Sequence, residues 1–123
     1  MKKILVVDDR ESMRGLLKVF VEKLGFYFLS ASDGQKALDI INADQEIGLV
    51  LSDLEMPGTD GYQLLIGLKK GNFKIPLIVM SGKMLEKADL DFFKTYQGFA
   101  GFLSKPFSMK ILRQDLENAL ENS

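Results

Sequence analysis

Short apolar runs recur along the chain, and each ends at a polar or turn residue. Runs of this length, rich in branched side chains, are typical of strands that are buried on both faces of a parallel sheet. The segment 26–31 alternates less regularly, but its aromatic residues also favour a strand. The predicted strands lie at 4–7, 26–31, 47–53, 77–80 and 101–103.

Between these runs, apolar residues are spaced three and four positions apart, which predicts helices with one core-facing side. The clearest stripe precedes Gly25, a typical helix-ending residue, and comprises Met13, Leu16, Leu17, Phe20, Val21 and Leu24. Further helices are predicted over 35–42, from the loop 58–61 to Lys70, and from Ser108 onwards. Their inward residues are Ala37, Leu38 and Ile41; Leu64, Leu65 and Leu68; and Met109, Leu112, Leu116, Ala119 and Leu120.

The fourth helix, predicted over 84–96, has a less regular apolar pattern. Its predicted inward face consists of Leu85, Ala88, Phe92 and Tyr96. Leu90 and Phe93 fall outside that face. They either form an exposed apolar patch that contacts a partner or pack beneath a neighbouring loop.

The regular alternation of strands and helices predicts a parallel sheet with helices on both faces, a three-layer doubly wound α/β fold. Five-stranded sheets of this kind commonly have the order 2-1-3-4-5, and ligands bind where that order reverses, between strands one and three. The 123 residues provide for one hydrophobic core, so we expect 1–123 to be a single domain.

Composition excludes several classes of function. With 16 basic and 17 acidic residues, the chain lacks the basic field that direct nucleic-acid binding needs. No apolar stretch approaches the ~20 residues that span a bilayer, so no membrane contact and a cytoplasmic location are expected. The absence of histidine and cysteine excludes disulfides, thiolate or imidazole metal sites, and Ser-His or Cys-His nucleophiles.

Polar side chains stand at the carboxyl ends of four predicted strands. Asp8-Asp9, Asp53, Ser81 and Lys105 follow or end the first, third, fourth and fifth strands, so they should converge at one sheet edge. Three neighbouring carboxylates repel one another, and a divalent cation is the simplest way to relieve that repulsion. Oxygen ligands favour Mg²⁺ or Mn²⁺. The alternative is that Asp8 or Asp9 only caps the first helix and Asp53 the following loop.

An aspartate beside a cation can act as a nucleophile toward phosphorus and form an aspartyl phosphate. Lys105 and the cation would neutralise the phosphoryl oxygens, and Ser81 would donate a hydrogen bond to one of them. The cluster therefore predicts phosphoryl chemistry at Asp53.

The polar motifs together resemble those of the receiver domain of bacterial two-component response regulators, of the single-domain, chemotaxis-regulator-like kind. The resemblance covers the whole chain, in the order Asp8-Asp9, Asp53, Met56-Pro57-Gly58-Thr59-Asp60-Gly61, Ser81-Gly82 and Gly101-Phe102-Leu103-Ser104-Lys105-Pro106-Phe107. It implies a flavodoxin-like receiver fold and a phospho-acceptor switch in a phosphorelay, which assists its own phosphorylation and dephosphorylation but is not a turnover enzyme.

The resemblance also implies roles for individual residues. Asp53 would accept the phosphoryl group, with Ser81 and Lys105 as the switch hydroxyl and the conserved lysine. Mg²⁺ would be bound by Asp9, Asp53 and the backbone carbonyl of Glu55, with Asp8 assisting largely through water. Phe102 would be the switch aromatic, although an ordinary core phenylalanine is an equal alternative, and it replaces a frequent tyrosine. The Lys105-Pro106 peptide bond would be cis.

Partners follow from the same resemblance. Because the chain has no histidine, the phosphoryl donor would be a sensor histidine kinase or a histidine phosphotransfer protein that docks near the first helix. Output would pass to a protein target, or to a second copy, through the face formed by the fourth helix, the fifth strand and the fifth helix. No output domain is apparent, so the chain is either a stand-alone regulator or a receiver excised from a longer protein.

Several alternatives stay open. The side chain of Glu55 either reaches the ion or its water, or is a solvated loop residue. Glu55 also stands two residues after Asp53, as the general acid does in aspartate-nucleophile phosphatases, but those enzymes carry the nucleophile on the first strand. A scaffold without phosphoryl chemistry is disfavoured because all five site residues are present. Phe99 occupies a position that is usually small in the family, so the start of the fifth strand is expected to pack differently.

Overall fold

Strands that are all parallel form one sheet in the computed structural model, which describes residues 2–56, 58 and 60–121. The strands within that part of the chain are β1 (Lys3–Val7), β2 (Tyr27–Ala31), β3 (Ile47–Asp53), β4 (Leu77–Ser81) and β5 (Phe99–Ser104). Their order is β2-β1-β3-β4-β5, which confirms the predicted order and places the reversal point between β1 and β3.

The helices are α1 (Glu11–Lys23), α2 (Gly34–Ala43), α3 (Gly61–Lys70), α4 (Lys87–Phe93) and α5 (Met109–Glu121). Local capping sets their ends. The Asp33 carboxylate accepts a hydrogen bond from the Lys36 backbone N–H at the start of α2, and Asp60 caps α3 in the same way. Gly25, with a φ of 90°, follows α1 in the left-handed region that favours glycine. Within the described ranges no helix has the length and apolar character needed to cross a bilayer.

The sheet separates two hydrophobic cores. α1 and α5 cover one face, where Leu17, Val21, Leu112 and Leu116 are fully buried. α2, α3 and α4 contribute to the core on the other face. The stripes predicted for α1, α2, α3 and α5 are confirmed except at Leu16, which is 48% exposed and is not a core residue. The α1 stripe that reaches the sheet is therefore narrower than predicted, because Leu17 and Val21 point at the strands and Leu16 lies beside that line.

The fourth helix differs most from the prediction. It runs only over Lys87–Phe93, because the Glu86 backbone N–H donates to the Asp89 carboxylate (3.0 Å) and the helix starts there. Phe93 is fully buried, whereas Ala88 is exposed, so the predicted inward face was wrong at both positions. Leu90 is half-buried. An exposed patch that contains Phe93 is therefore excluded.

Phe93 occupies the centre of an aromatic cluster. Its ring contacts the rings of Tyr62, Phe92, Phe99 and Phe102, at centroid distances of 5.2, 5.3, 5.8 and 5.5 Å. Phe99, at the start of β5, also packs against Phe102 at 5.0 Å. The large side chain at position 99 is therefore part of the contact between β5 and α4.

A hydrogen bond links the same cluster to α3. The Tyr62 hydroxyl donates to the Asp89 carboxylate at 2.6 Å. Burial, together with this bond, raises the pKa of Tyr62 to about 12, so the phenol keeps its proton at neutral pH. The bond in turn lowers the pKa of Asp89. α3 and α4 are thus connected by a donor and an acceptor that both keep their roles over the physiological range.

Candidate functional site

The ends of β1 and β3 lie side by side. Val7 pairs with Ser52 in the sheet register, so the next residues along each strand, Asp8 and Asp53, are neighbours. The Asp8 backbone N–H donates to the Ala31 carbonyl at the end of β2, and the Leu54 N–H donates to the Met80 carbonyl at the end of β4. Backbone pairing therefore holds both aspartates at the carboxyl edge of the sheet.

Three carboxylates meet at this edge. Oxygens of Asp8, Asp9 and Asp53 lie within 4.8 Å of one another. Asp8 is fully buried, Asp53 is 5% exposed and Asp9 is exposed to solvent. Asp8 Oδ1 accepts a hydrogen bond from the Arg10 backbone N–H at 2.9 Å, but Asp8 Oδ2 is buried with no hydrogen-bond partner among the described residues. A buried carboxylate oxygen that accepts no hydrogen bond and lies beside two other carboxylates suits a cation.

Lys105 supplies a positive charge to the cluster. Its Nζ lies 3.3 Å from Asp53 Oδ2 and 3.7 Å from Asp8 Oδ2. The Lys105 backbone N–H donates to the Ser81 carbonyl at 2.8 Å, which extends the β4–β5 ladder to the site. The Lys105-Pro106 peptide bond is cis, as predicted. The Lys105 ammonium and the Arg10 guanidinium, whose Nε lies 3.8 Å from Asp8 Oδ1, stand opposite three carboxyl groups and leave the cluster with an excess of negative charge.

The electrostatics of Asp53 reflect that imbalance. Burial raises the pKa of Asp53, the Lys105 ammonium opposes this change, and the neighbouring Asp8 carboxylate adds to it. Ionised Asp53 is therefore less stable here than it would be in water. A bound cation would favour the ionised form.

Glu55 and Ser81 are joined across the mouth of the site. The Ser81 hydroxyl donates to Glu55 Oε1 at 3.1 Å, and the Lys83 backbone N–H donates to Ser81 Oγ at 3.2 Å. The Glu55 backbone N–H donates a hydrogen bond to Asp53 Oδ1, with 3.3 Å between the nitrogen and the oxygen. The exposed Glu55 side chain is thus a hydrogen-bond partner of Ser81.

Phe102 lies close to these polar groups. A cavity of 390 Å³ is lined by residues that include Ser81, Leu85, Leu90, Phe102 and Lys105. Phe102 itself is half-buried and contacts Phe93 and Phe99. The structure therefore places the predicted switch pair, Ser81 and Phe102, on the wall of one cavity. Pro57 and Thr59 of the predicted loop motif lie outside the described residues.

Two arginines that contact Asp8 at the site were not identified from the sequence. The guanidinium group of Arg14 donates to the Asp8 backbone carbonyl at 2.7 Å, and Arg10 Nε lies 3.8 Å from Asp8 Oδ1. Both bring positive charge to the β1–α1 connection. Their position just after an acidic strand end, on the first turn of a predicted helix, was the available signal.

Comparison with known proteins agrees with this fold. The family model described as the response regulator receiver domain matches residues 4–117. The autoinducer 1 sensor kinase/phosphatase LuxN of Vibrio campbellii is 30% identical over 98% of this chain and 14% of its own length. The response regulator GtcR of Aneurinibacillus migulanus is 33% identical over 87% of this chain and 43% of its own length.

Among solved structures, the chemotaxis protein CheY4 of Vibrio cholerae superposes with a TM-score of 0.87, at 25% identity, over 98% of this chain and 99% of that one. The chain belongs to the response regulator receiver domain family. It is a signalling domain of two-component phosphorelay systems rather than a classical turnover enzyme. The chain spans less than half the length of the two curated relatives given above.

Proposed function

We propose that Asp53 is the phosphoacceptor of this receiver domain. Support comes chiefly from the position of Asp53, almost buried at a strand end, with an ammonium group 3.3 Å from one oxygen. In the proposed step a carboxylate oxygen of Asp53 attacks the phosphorus of a partner's phosphohistidine. The P–O bond forms as the P–N bond breaks, and the electron pair of the P–N bond goes to the imidazole nitrogen. We extend the assignment to the whole of 1–123 as one receiver domain.

Lys105 and Ser81 would act on the transferred group. Lys105 Nζ would pair with a phosphoryl oxygen, because it already lies beside the oxygen to which phosphorus would attach. The Ser81 hydroxyl, buried at the end of β4, would donate a hydrogen bond to another phosphoryl oxygen. Asp8 would lie beside them and help to hold the cation.

The residues fit a hard divalent cation. Asp8, Asp9, Asp53 and the backbone carbonyl of Glu55 would hold Mg²⁺, or Mn²⁺, as an all-oxygen donor set. When bound, the ion supplies positive charge that lowers the cost of placing a phosphoryl group beside Asp8 and Asp9. The buried oxygen of Asp8 that accepts no hydrogen bond from the residues that the structure describes supports this assignment.

Output would pass through Phe102. As Ser81 turns toward the phosphoryl group, Phe102 would move within the cavity that both residues line, and the face formed by α4, β5 and α5 would change. That face would contact a protein target or a second copy of the chain. The donor would be a sensor histidine kinase or histidine phosphotransfer protein that docks beside α1, and the domain would act in the cytoplasm.

Intact-mass measurement after incubation with acetyl phosphate and Mg²⁺ tests the proposal. We expect a species about 80 Da heavier in the wild type, because one phosphoryl group is added. Asp53→Ala should lack this species, while Asp39→Ala, which removes an exposed aspartate on α2, should keep it. An unmodified wild type under these conditions, or modification that persists in Asp53→Ala, would contradict the assignment.

We expect millimolar Mg²⁺ to raise the thermal unfolding midpoint by several degrees, because the ion binds the folded carboxylate cluster and not the unfolded chain. The measurement is thermal unfolding followed by circular dichroism, with Na⁺ added to match ionic strength. Asp8→Asn should lose most of the increase, since it removes a buried ligand. Equal midpoints with and without Mg²⁺ in the wild type would count against the site.

A further inference from the structure

The hydroxyl group of Ser81 is already committed to a protein acceptor. A serine hydroxyl has one proton, so it can donate one hydrogen bond at a time. Glu55 Oε1 lies 3.1 Å from Ser81 Oγ, and the Lys83 carbonyl is a longer alternative at 3.3 Å. The Lys83 backbone N–H occupies an acceptor position of the same oxygen at 3.2 Å. Ser81 Oγ is therefore held between Glu55 and Lys83, and the Glu55 carboxylate is the nearer acceptor of its proton.

This orientation conflicts with the role proposed for Ser81. To donate to a phosphoryl oxygen on Asp53, Ser81 has to release Glu55, because both acceptors need the same proton. The hydrogen bond to the Glu55 carboxylate is charge-assisted, so its loss opposes phosphorylation, and the new hydrogen bond to an anionic phosphoryl oxygen offsets part of that loss. Part of that loss is offset by water, because Glu55 is exposed and can be solvated after release.

The negative charge of Glu55 also opposes phosphorylation of Asp53. The Glu55 backbone lies beside the acceptor, with its N–H 3.3 Å from Asp53 Oδ1, so the side chain stays near the mouth of the site. A phosphoryl group carries close to two negative charges at neutral pH. The Glu55 carboxylate would repel this group across a short distance.

We propose that the Glu55 side chain is an inhibitory latch, which holds Ser81 away from the acceptor and weakens every state that carries a phosphoryl group or its mimic. The inference rests on the proposed function, since it concerns regulation of the same site. It assigns Glu55 a second role besides its backbone carbonyl. Glu55 is a positioning residue that acts through Ser81.

Affinity for beryllofluoride in the presence of Mg²⁺, measured by calorimetry, tests the latch without any covalent step. We expect Glu55→Gln to bind about threefold more tightly than the wild type and Glu55→Ala about tenfold more tightly, because glutamine is a neutral, weaker acceptor and alanine is none. Glu46→Gln is the matched control, because Glu46 is an exposed glutamate just before β3, at the opposite edge of the sheet from Asp53. It should bind as the wild type does.

The same substitutions in a Ser81→Ala background separate the latch from simple charge repulsion. Without the hydroxyl, the gain from Glu55→Ala should fall to the small part that repulsion contributes. An equal gain in both backgrounds would overturn the latch while leaving the phosphoacceptor assignment intact. A wild type that binds no beryllofluoride would overturn the proposed function and the latch together.

A second measurement uses the free protein and needs no phosphoryl group. Because the Lys83 amide donates to Ser81 Oγ, release of Ser81 should expose that amide. We expect faster amide hydrogen exchange at Lys83 in Glu55→Ala than in the wild type or in Glu46→Gln. Unchanged exchange at Lys83 would show that Glu55 does not hold Ser81, whatever the beryllofluoride affinities are.

Discussion

Replacement of Lys105 by alanine should lower the rate of phosphoryl incorporation from acetyl phosphate by about 10²–10³-fold, as the loss of one preorganised charge donor does in other active sites. Lys105 Nζ is 3.3 Å from Asp53 Oδ2, and the side chain is largely buried. Among the described residues it is the lysine paired with Asp8 and Asp53. The measurement is the time course of intact mass at fixed Mg²⁺.

Two variants make the expectation specific. Lys105→Arg keeps the charge but changes its shape and reach, so we expect it to recover only part of the rate. Lys110→Ala removes an exposed lysine of α5 and should react at the wild-type rate. Circular dichroism shows whether each variant is folded. A folded Lys105→Ala protein that reacts as fast as the wild type would contradict the role given to this ammonium group.

We expect Phe93→Ala to lower the free energy of unfolding by about 3–5 kcal/mol, the cost of emptying a large buried aromatic site. Phe93 is fully buried and contacts four other aromatic rings on α3, α4 and β5. Urea unfolding followed by circular dichroism measures the loss. The result matters for function, because one of those rings belongs to Phe102.

The adjacent residue provides the comparison. Phe92→Ala removes the same side chain from a half-buried position, so we expect a clearly smaller loss. If Phe93 instead belonged to an exposed patch, one of the two alternatives that the helical pattern left open, its replacement would cost little and Phe92→Ala would cost more. The variant with the larger loss of stability therefore shows whether Phe93 is buried in the aromatic cluster or lies in an exposed patch.

Much of this protein is readable from local patterns. The apolar runs predict the strands because a strand buried on both faces has to be apolar along its length. The order 2-1-3-4-5 is a common one for five strands that alternate with helices. In that order the strand ends bring together Asp8, Asp9, Asp53, Ser81 and Lys105 at one edge. Lys105 does lie beside Asp8 and Asp53, as that topology requires.

Other features depend on contacts between segments that are distant in sequence. Glu55 and Ser81 are 26 positions apart, and no spacing rule indicates that their side chains meet. Tyr62 and Asp89 are 27 positions apart, so the hydrogen bond that connects α3 to α4 could not be predicted from the sequence either.

The sequence by itself therefore determined the fold, the family resemblance and the set of chemical groups at the site, because each depends on residue type and local spacing. The tertiary structure decided the length of α4, the burial of Phe93 and the partner of Ser81. A helix of seven residues has too few turns for its own periodicity to define a face. Its orientation is set by the rings that it packs against, and the direction of a hydroxyl proton is set by whichever acceptor the fold brings near.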